Sequence, residues 1–324
     1  MSKTLNVSIV QMPIGTTEEN LRYLKQAVDD LMTGYVRPEL VVGVEFGLGL
    51  EPQTIPGPVT RFLSALARRH HIYLIPGTLA ETAPELPEGA CYNTCPVFGP
   101  DGRLIRAYRK RVPFWPAEPS VPGQDEGCFV FQIPEKDVKV GLLICYEQFF
   151  PEIPRTLALE GADLLVCPSL DGVDFAHIPD ILPRARALEN EVFYIWTNSA
   201  GSGSSSTYCG KSIIVDPEGS IIHQCGTAPE LVTKTLELSR VREKRILGAD
   251  QHLASLRRFR VAYPYAGRLD SAPVYQDMPP LTETPAQYEA RLREMGRGTL
   301  SDVELLEDQT GEAEQLMNDV LNSF

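Results

Sequence analysis

The 324-residue chain has no apolar run approaching the roughly 20 residues that a membrane-spanning helix needs, and residues 1–6 lack the apolar stretch of a signal peptide. These absences predict a cytoplasmic protein with no membrane partner. Positive charge is also short, since 30 Lys and Arg stand against 43 Asp and Glu, a formal net charge of -13. Such a balance repels phosphate backbones, so no nucleic-acid partner is expected. The five histidines (His70, His71, His177, His223, His252) include no HxxxH or HxH spacing, and no metal site is expected. The seven cysteines are odd in number and form no CxxC pair, which favours free thiols over disulfides. The small polar stretch at residues 202–207 lacks GxxxxGK[ST] and reads as a connector; neither a nucleotide nor any other cofactor is implied.

What is present describes a globular chain. Hydrophobic residues make up 43%, and the 25 Gly and 27 Pro are spread along the length, unlike collagen-like or disordered sequences. Residues 5–10 predict a strand, and Thr16-Thr17-Glu18-Glu19 places a capping box before the amphipathic series Leu21, Leu24, Ala27, Val28 and Leu31. Strand 40–45, helix 59–69 and strand 72–75 follow, then strands 92–98 and 104–109 around the turn Gly99-Pro100-Asp101-Gly102. After a Pro-rich connection at 112–123 the order restarts: strand 138–145, helix 151–160, strand 163–167, helix 179–190, strand 191–197. A strand pair at 211–215 and 220–223 is joined by Asp216-Pro217-Glu218-Gly219. Two similar β/α halves whose sheets each need both faces covered predict an α/β fold, a four-layer αββα sandwich.

Beyond Leu238 the composition changes. Arg242, Lys244, Arg245, Arg257, Arg258 and Arg260 form a basic stretch in which one helix can span 241–258. Pro/Tyr-rich 263–280 precedes acidic helix-like pieces at 286–294, 300–308 and 313–321. We read 1–262 as one domain and 263–324 as a C-terminal extension that wraps the body or a partner subunit.

Three polar residues sit where strong apolar runs stop: Glu45 after LVVGV, Lys110 after LIRAYR and Cys145 after VKVGLLI. Sites in α/β sheets gather at the carboxyl ends of strands. A carboxylate, an ammonium and a thiol form a complete set for acyl transfer: one takes a proton, one offsets developing negative charge and one attacks. Each residue also has an ordinary reading. A cysteine ending a strand is commonly an inert small hydrophobe, and a charge cluster such as Arg109-Lys110-Arg111 is commonly a solvated face.

The surrounding sequence adds to this. Gly141-Leu142-Leu143-Ile144-Cys145-Tyr146-Glu147-Gln148-Phe149-Phe150-Pro151-Glu152 resembles the nucleophile segment of the nitrilase superfamily of carbon-nitrogen hydrolases. Val44-Glu45-Phe46 resembles its glutamate strand and Tyr108-Arg109-Lys110 its lysine strand, in the required order. Arg186-Ala187-Leu188-Glu189-Asn190, Thr197-Asn198-Ser199-Ala200-Gly201 and residues 212–219 resemble further segments. The resemblance covers about residues 5–238 and implies the αββα sandwich that element order indicates independently. It makes 1–262 a carbon-nitrogen hydrolase domain.

The resemblance implies Cys145 as nucleophile, Glu45 as general base, Lys110 as the cation that stabilises the oxyanion, and Glu118 as the second glutamate beside the substrate. The expected reaction cleaves a small carboxylic amide to acid plus ammonia through a cysteine thioester. Phe46, Phe114, Trp115 and Tyr146 adjoin these residues and are candidate pocket walls for a small-molecule amide. Nitrile-cleaving members usually show Trp after the nucleophile, and members acting on carbamoyl groups tend to show Asn or Gly; Tyr146 resembles the amidase branch instead. A nitrilase or N-carbamoyl amide hydrolase stays as the alternative, and a catalytically silent scaffold as the alternative of another class. A redox-sensing thiol would need Cys167 as resolving partner. The extended C-terminus resembles those of aliphatic amidases and formamidases, and the resemblance also implies a homodimer or higher homo-oligomer.

Overall fold

Successive side chains along the central strands enter different cores. In β1 (Thr4–Gln11), Leu5, Val7 and Ile9 join one buried cluster while Val10 joins another; in β2 (Leu40–Val44), Leu40 and Val42 part from Val41 and Val44 in the same way. This period of two on strands that are buried at most positions is what a sheet covered on both faces requires.

The structure is a computed structural model that describes residues 3–114, 117–124, 129–202, 207–259 and 284–294. After β1 and β2, with α1 (Thr17–Thr33) between them, come β3 (Gln53–Thr54), α2 (Pro58–His70), β4 (Tyr73–Gly77) and β5 (Leu79–Thr82). The hairpin of β6 (Tyr92–Phe98) and β7 (Leu104–Arg109) ends the first half. The second half holds β8 (Phe129–Ile133), β9 (Val138–Leu142), α3 (Glu152–Leu159), β10 (Leu164–Ser169), α4 (Leu182–Asn190) and β11 (Phe193–Asn198). It continues through a short pair, β12 (Ala200–Ser202) and β13 (Thr207–Cys209), then β14 (Ile213–Val215), β15 (Ile221–Gln224) and β16 (Glu230–Glu237). Three helices follow: α5 (Ser239–Leu247), α6 (His252–Phe259) and α7 (Pro285–Glu294).

One sheet runs β16-β1-β2-β4-β6-β5-β3, with β7 also paired to β6; the other runs β15-β14-β11-β10-β9-β8. The central cluster draws Leu5, Val7, Leu40 and Val42 from the first sheet and Val140, Leu164, Val166, Phe193 and Ile195 from the second. The outer clusters pack α1 and α2 on the first sheet, and Leu157 of α3 with Ala187 of α4 on the second. The four layers are therefore α, β, β and α. Local sequence supports them: Thr16 and Glu19 cap α1 reciprocally, and Pro58 starts α2 where its missing N–H costs nothing.

Several boundaries differ from the expectations. The strand expected over 138–145 ends at Leu142, because Cys145 adopts φ 46 and opens a 3-10 turn, Cys145–Phe149. The helix expected from 179 begins as the turn Ile178–Asp180 and becomes α-helical at Leu182. The single helix expected over 241–258 is two, α5 and α6, parted at Gly248, which leaves the helix with extended backbone. Within α5, Lys244 pairs with Glu218 and with Asp250 in the link to α6.

The halves are also less alike than their element order suggests. β16 pairs antiparallel along the whole of β1, from Thr4 opposite Glu237 to Gln11 opposite Glu230, so the second half's last strand completes the first half's sheet. The connector at 202–207 is flanked by the paired strands β12 and β13; its residues 203–206 lie outside the described residues. The helix expected at 286–294 is α7, whereas the pieces at 300–308 and 313–321 and the stretch 263–280 lie outside the described residues. No described helix is long and apolar enough to cross a membrane.

Candidate active site

The two sheets meet at the carboxyl ends of their parallel strands. Thr197 Oγ1 on β11 donates to the carbonyl of Gly43 on β2 (2.5 Å), and the Glu45 N–H donates to the carbonyl of Ser169 on β10 (3.2 Å). Nearby, Ser199 Oγ donates to the Met12 carbonyl (2.8 Å) and the Ser212 N–H to Gln11 Oε1 (2.9 Å). Gly43 permits the close approach on its own side, since a Cβ there would collide with the Pro76 carbonyl of β4.

Glu45, Lys110, Glu118 and Cys145 come together at this seam, all buried. Lys110 Nζ donates to Glu45 Oε1 (2.8 Å) and to Glu118 Oε2 (2.6 Å). Asn93 Nδ2 on β6 donates to the same two carboxylates, at 2.8 Å and 2.9 Å, and the Phe114 N–H donates to Glu118 at 2.9 Å. Glu45 also interacts electrostatically with Cys145, whose thiol donates to Asp171 Oδ1 (3.6 Å). The end of β7 is pinned from its other face, where Arg109 forks onto Glu81 of β5 at 2.9 and 2.7 Å. The basic triplet is thus divided: Arg109 is a strand clamp and Lys110 a buried cation.

The backbone presents these groups deliberately. Phe46, just after Glu45, and Cys145 both occupy the left-handed region, at φ 52 and 46, where a residue with a Cβ is strained. Phe46 is held by Thr78 Oγ1, which accepts its N–H (2.8 Å). The turn at Cys145 is held by Glu147, whose carboxylate accepts the N–H of Ile144 (2.7 Å), the N–H of Arg111 (2.7 Å) and the Tyr108 hydroxyl (2.9 Å).

Burial sets the protonation. It pushes the Cys145 thiol well up, Asp171 and Glu45 push it further, and Lys110 only partly opposes them, so the resting sulfur carries its proton. Burial likewise raises Glu45 despite Lys110, which makes it a stronger base than a solvated carboxylate. Lys110 is held well above the ordinary lysine value: burial disfavours its charge, but Glu45, Cys145 and Glu118 outweigh that. Glu118 is lowered because Lys110, the Phe114 N–H and Asn93 together exceed the cost of its burial.

Of the expected pocket residues, Phe114 and Tyr146 stack edge-on at 4.9 Å beside the site, and Phe46 is half-buried next to Glu45. Trp115 lies outside the described residues. Three residues were not foreseen. Asn93 bridges the carboxylates, Phe175 meets Phe114 at 5.9 Å, and Asp171 accepts from Cys145 Sγ at 3.6 Å. Asp171 follows the carboxyl end of β10, the same positional signal that singled out Glu45. Cys167 donates to the Cys145 backbone carbonyl at 3.9 Å, and burial pushes its thiol up to about 12, so it is poorly suited as a resolving thiol.

The sequence model of the family described as carbon-nitrogen hydrolase matches residues 6–246. The chain belongs to the carbon-nitrogen hydrolase family. An omega-amidase of Mus musculus is 35% identical over 207 residues, which span 60% of this chain and 71% of the relative. A hydrolase of Pseudomonas protegens is 30% identical over 259 residues, 76% of this chain and 87% of the relative. Among solved structures, a Saccharomyces cerevisiae member of branch 10 of the nitrilase superfamily superposes with a TM-score of 0.68 and 28% identity, covering 78% of this chain and 97% of that one. An amidase from Nesterenkonia sp. superposes at 0.64 with 25% identity, covering 80% and 97%. This carbon-nitrogen hydrolase, a nitrilase-superfamily member, is therefore an enzyme acting on carbon-nitrogen bonds other than peptide bonds.

One group of possible metal ligands occurs among the described residues of the hydrolase: His223, Cys225 and Glu230, with ligand atoms within 4.8 Å of one another. His223 Nε2 and Glu230 Oε1 already pair at 3.2 Å, and the second Glu230 oxygen accepts the Gly226 N–H. With these partners in place the group reads as a polar connection between strands β15 and β16.

Proposed function

We propose that this hydrolase cleaves a small carboxylic amide to an acid and ammonia through a thioester on Cys145. The reading is carried by one observation: Lys110 Nζ bridges Glu45 and Glu118 inside the protein, at the seam where Cys145 is also buried. Burying three charges costs several kcal/mol per ion, and pairing alone is a weak reason to keep them. A reaction that moves a proton and develops an oxyanion beside them supplies the stronger reason.

In this reading Glu45 takes the thiol proton as Sγ bonds to the amide carbon. The carbonyl oxygen gains negative charge, which Lys110 and the Tyr146 N–H stabilise. The carbon-nitrogen bond then breaks, and the proton on Glu45 passes to the departing nitrogen. Water, deprotonated by the same carboxylate, attacks the thioester; the carbon-sulfur bond breaks, the acid leaves and the thiol regains its proton. Glu118 holds Lys110 and lies beside the substrate. The relatives named omega-amidase and amidase support an amide over a nitrile. Ammonia release from a panel of small amides and nitriles tests this. Ammonia from amides supports it, and ammonia from nitriles alone replaces it with the nitrilase alternative.

We take residues 1–262 as the catalytic unit and 263–324 as an extension that covers the body or a second copy. Self-association is expected through α3 and α4, where Leu159 and Ile181 are exposed. Sizing by light scattering checks this, and a monomer at micromolar concentration contradicts it.

A further inference from the structure

Asp171 has no place in the reaction just described. Its backbone is clamped from two sides: the N–H donates to Asn198 Oδ1 (2.7 Å), and the carbonyl accepts both Asn198 Nδ2 and the Cys209 N–H at 3.0 Å. A bridge between Gly172 and Tyr208 extends the clamp. The side chain is treated differently. It is 7% exposed, Oδ1 accepts only the Cys145 thiol at 3.6 Å, and Oδ2 has no hydrogen-bond partner among the described residues.

The charges around it make this more pointed. Among the described residues Lys110 is the ammonium of this cluster and is already shared by Glu45 and Glu118, so Asp171 is a further buried carboxyl without an ion pair. Burial, followed by Glu45, pushes its carboxyl up to about 7 against the pull of Cys145 and Lys110. A buried carboxylate oxygen without a partner costs stability, so a group held this firmly calls for a ligand.

We propose that Asp171 is the specificity-determining counter-ion for a substrate that carries an ammonium next to the scissile carbonyl, that is, a 2-amino carboxamide. The proposal rests on the amidase reading and deepens it. Once the carbonyl carbon faces Sγ, a nitrogen on the adjacent carbon falls within reach of the carboxylate that already touches that sulfur. The ammonium would bond to the orphaned Oδ2 and compensate the surplus negative charge. Phe175, four residues along the same loop, belongs with Phe114 and Tyr146 to an aromatic group beside Cys145, and ring faces also favour a cation. The proposed reaction gives the base's role to Glu45, which leaves Asp171 for recognition.

Alaninamide and isobutyramide test this, because they match in shape and differ by an ammonium in place of a methyl. Wild type at pH 7 is expected to show a kcat/KM for alaninamide higher by about tenfold or more, the lower range for a charge-assisted hydrogen bond. Asp171→Asn should collapse that ratio towards one. If Asp171 were instead the base for the thiol, Asp171→Asn would depress both amides and leave the ratio standing, which overturns the proposal. Calorimetric binding of the two amides to Cys145→Ala reads recognition without turnover. Tighter binding of alaninamide there supports the proposal even if wild type releases no ammonia from either amide, a result that would overturn the amidase reading alone. Equal binding, or binding of neither, overturns the proposal.

Discussion

The two sheets bring polar groups of different character to their shared edge. From the first come Glu45 and Lys110 at strand ends and Asn93 within β6, with Glu118 just beyond, and each is hydrogen-bonded to another member of the set. From the second come Cys145 and Asp171, which touch each other through one long contact and leave a carboxylate oxygen unpartnered. Charge is compensated on one side of the seam and, among the described residues, left without a partner on the other. On the proposed reaction the difference separates two jobs: the first sheet would hold a proton acceptor and a cation ready, and the second would present the group that attacks and the group that recognises.

The comparison breaks most completely at its reactive end. Cys145→Ala is expected to lower turnover by about 10⁴-fold or more while circular dichroism stays native, since a small buried residue replaces a thiol whose hydrogen bond, to Asp171, is long and weak. Glu45→Gln keeps shape and an oxygen for Lys110 but cannot carry the proton; steady-state assays should show a loss of about 10²- to 10⁴-fold. Lys110→Met acts on stability as well, because it leaves Glu45 and Glu118 buried without their cation. Urea unfolding should register a loss of about 3–5 kcal/mol.

Asp171 sharpens the contrast through pH. Its carboxyl sits at about 7 in the folded chain against the ordinary 3.8, with Glu45, Cys145, Cys167 and Lys110 around it. Between those values the unfolded chain has released this proton and the folded chain retains it, so its contribution to stability falls as pH rises through the window and levels off above it. Asp171→Asn removes the fall, and thermal melts should show the variant gaining on wild type from pH 4 to pH 7. Thr16→Ala, far from the seam, should cost about 1 kcal/mol by loss of the α1 cap, with kcat/KM unchanged.

Legibility in the sequence followed the same physics. Strands that are buried at every position and almost wholly apolar, such as LVVGV and LLVCPS, announce themselves because both faces are covered. β16, with the sequence ELVTKTLE, is a half-buried edge strand of mixed character, and nothing local tells that it will pair with β1 from the other end of the chain. β3 and β12 are too short to carry a period. Glu45, Lys110 and Cys145 were readable because each ends an apolar run. Glu118 rested on resemblance alone, having no such position. Asn93 sits inside β6, where a polar residue reads as an interruption until its two carboxylate partners are seen. Asp171 carried the strand-end signal but sits in a loop whose clamp, Asn198 and Cys209, lies well downstream.

The central claim, a thioester on Cys145, is tested most directly by intact-protein mass spectrometry of wild type and Cys145→Ala after brief incubation with small amides and acid quenching. The account predicts an acyl adduct on wild type that is absent from Cys145→Ala and is discharged by hydroxylamine as the hydroxamate. Ammonia released at equal rates by both proteins, or an adduct that persists without Cys145, would contradict it.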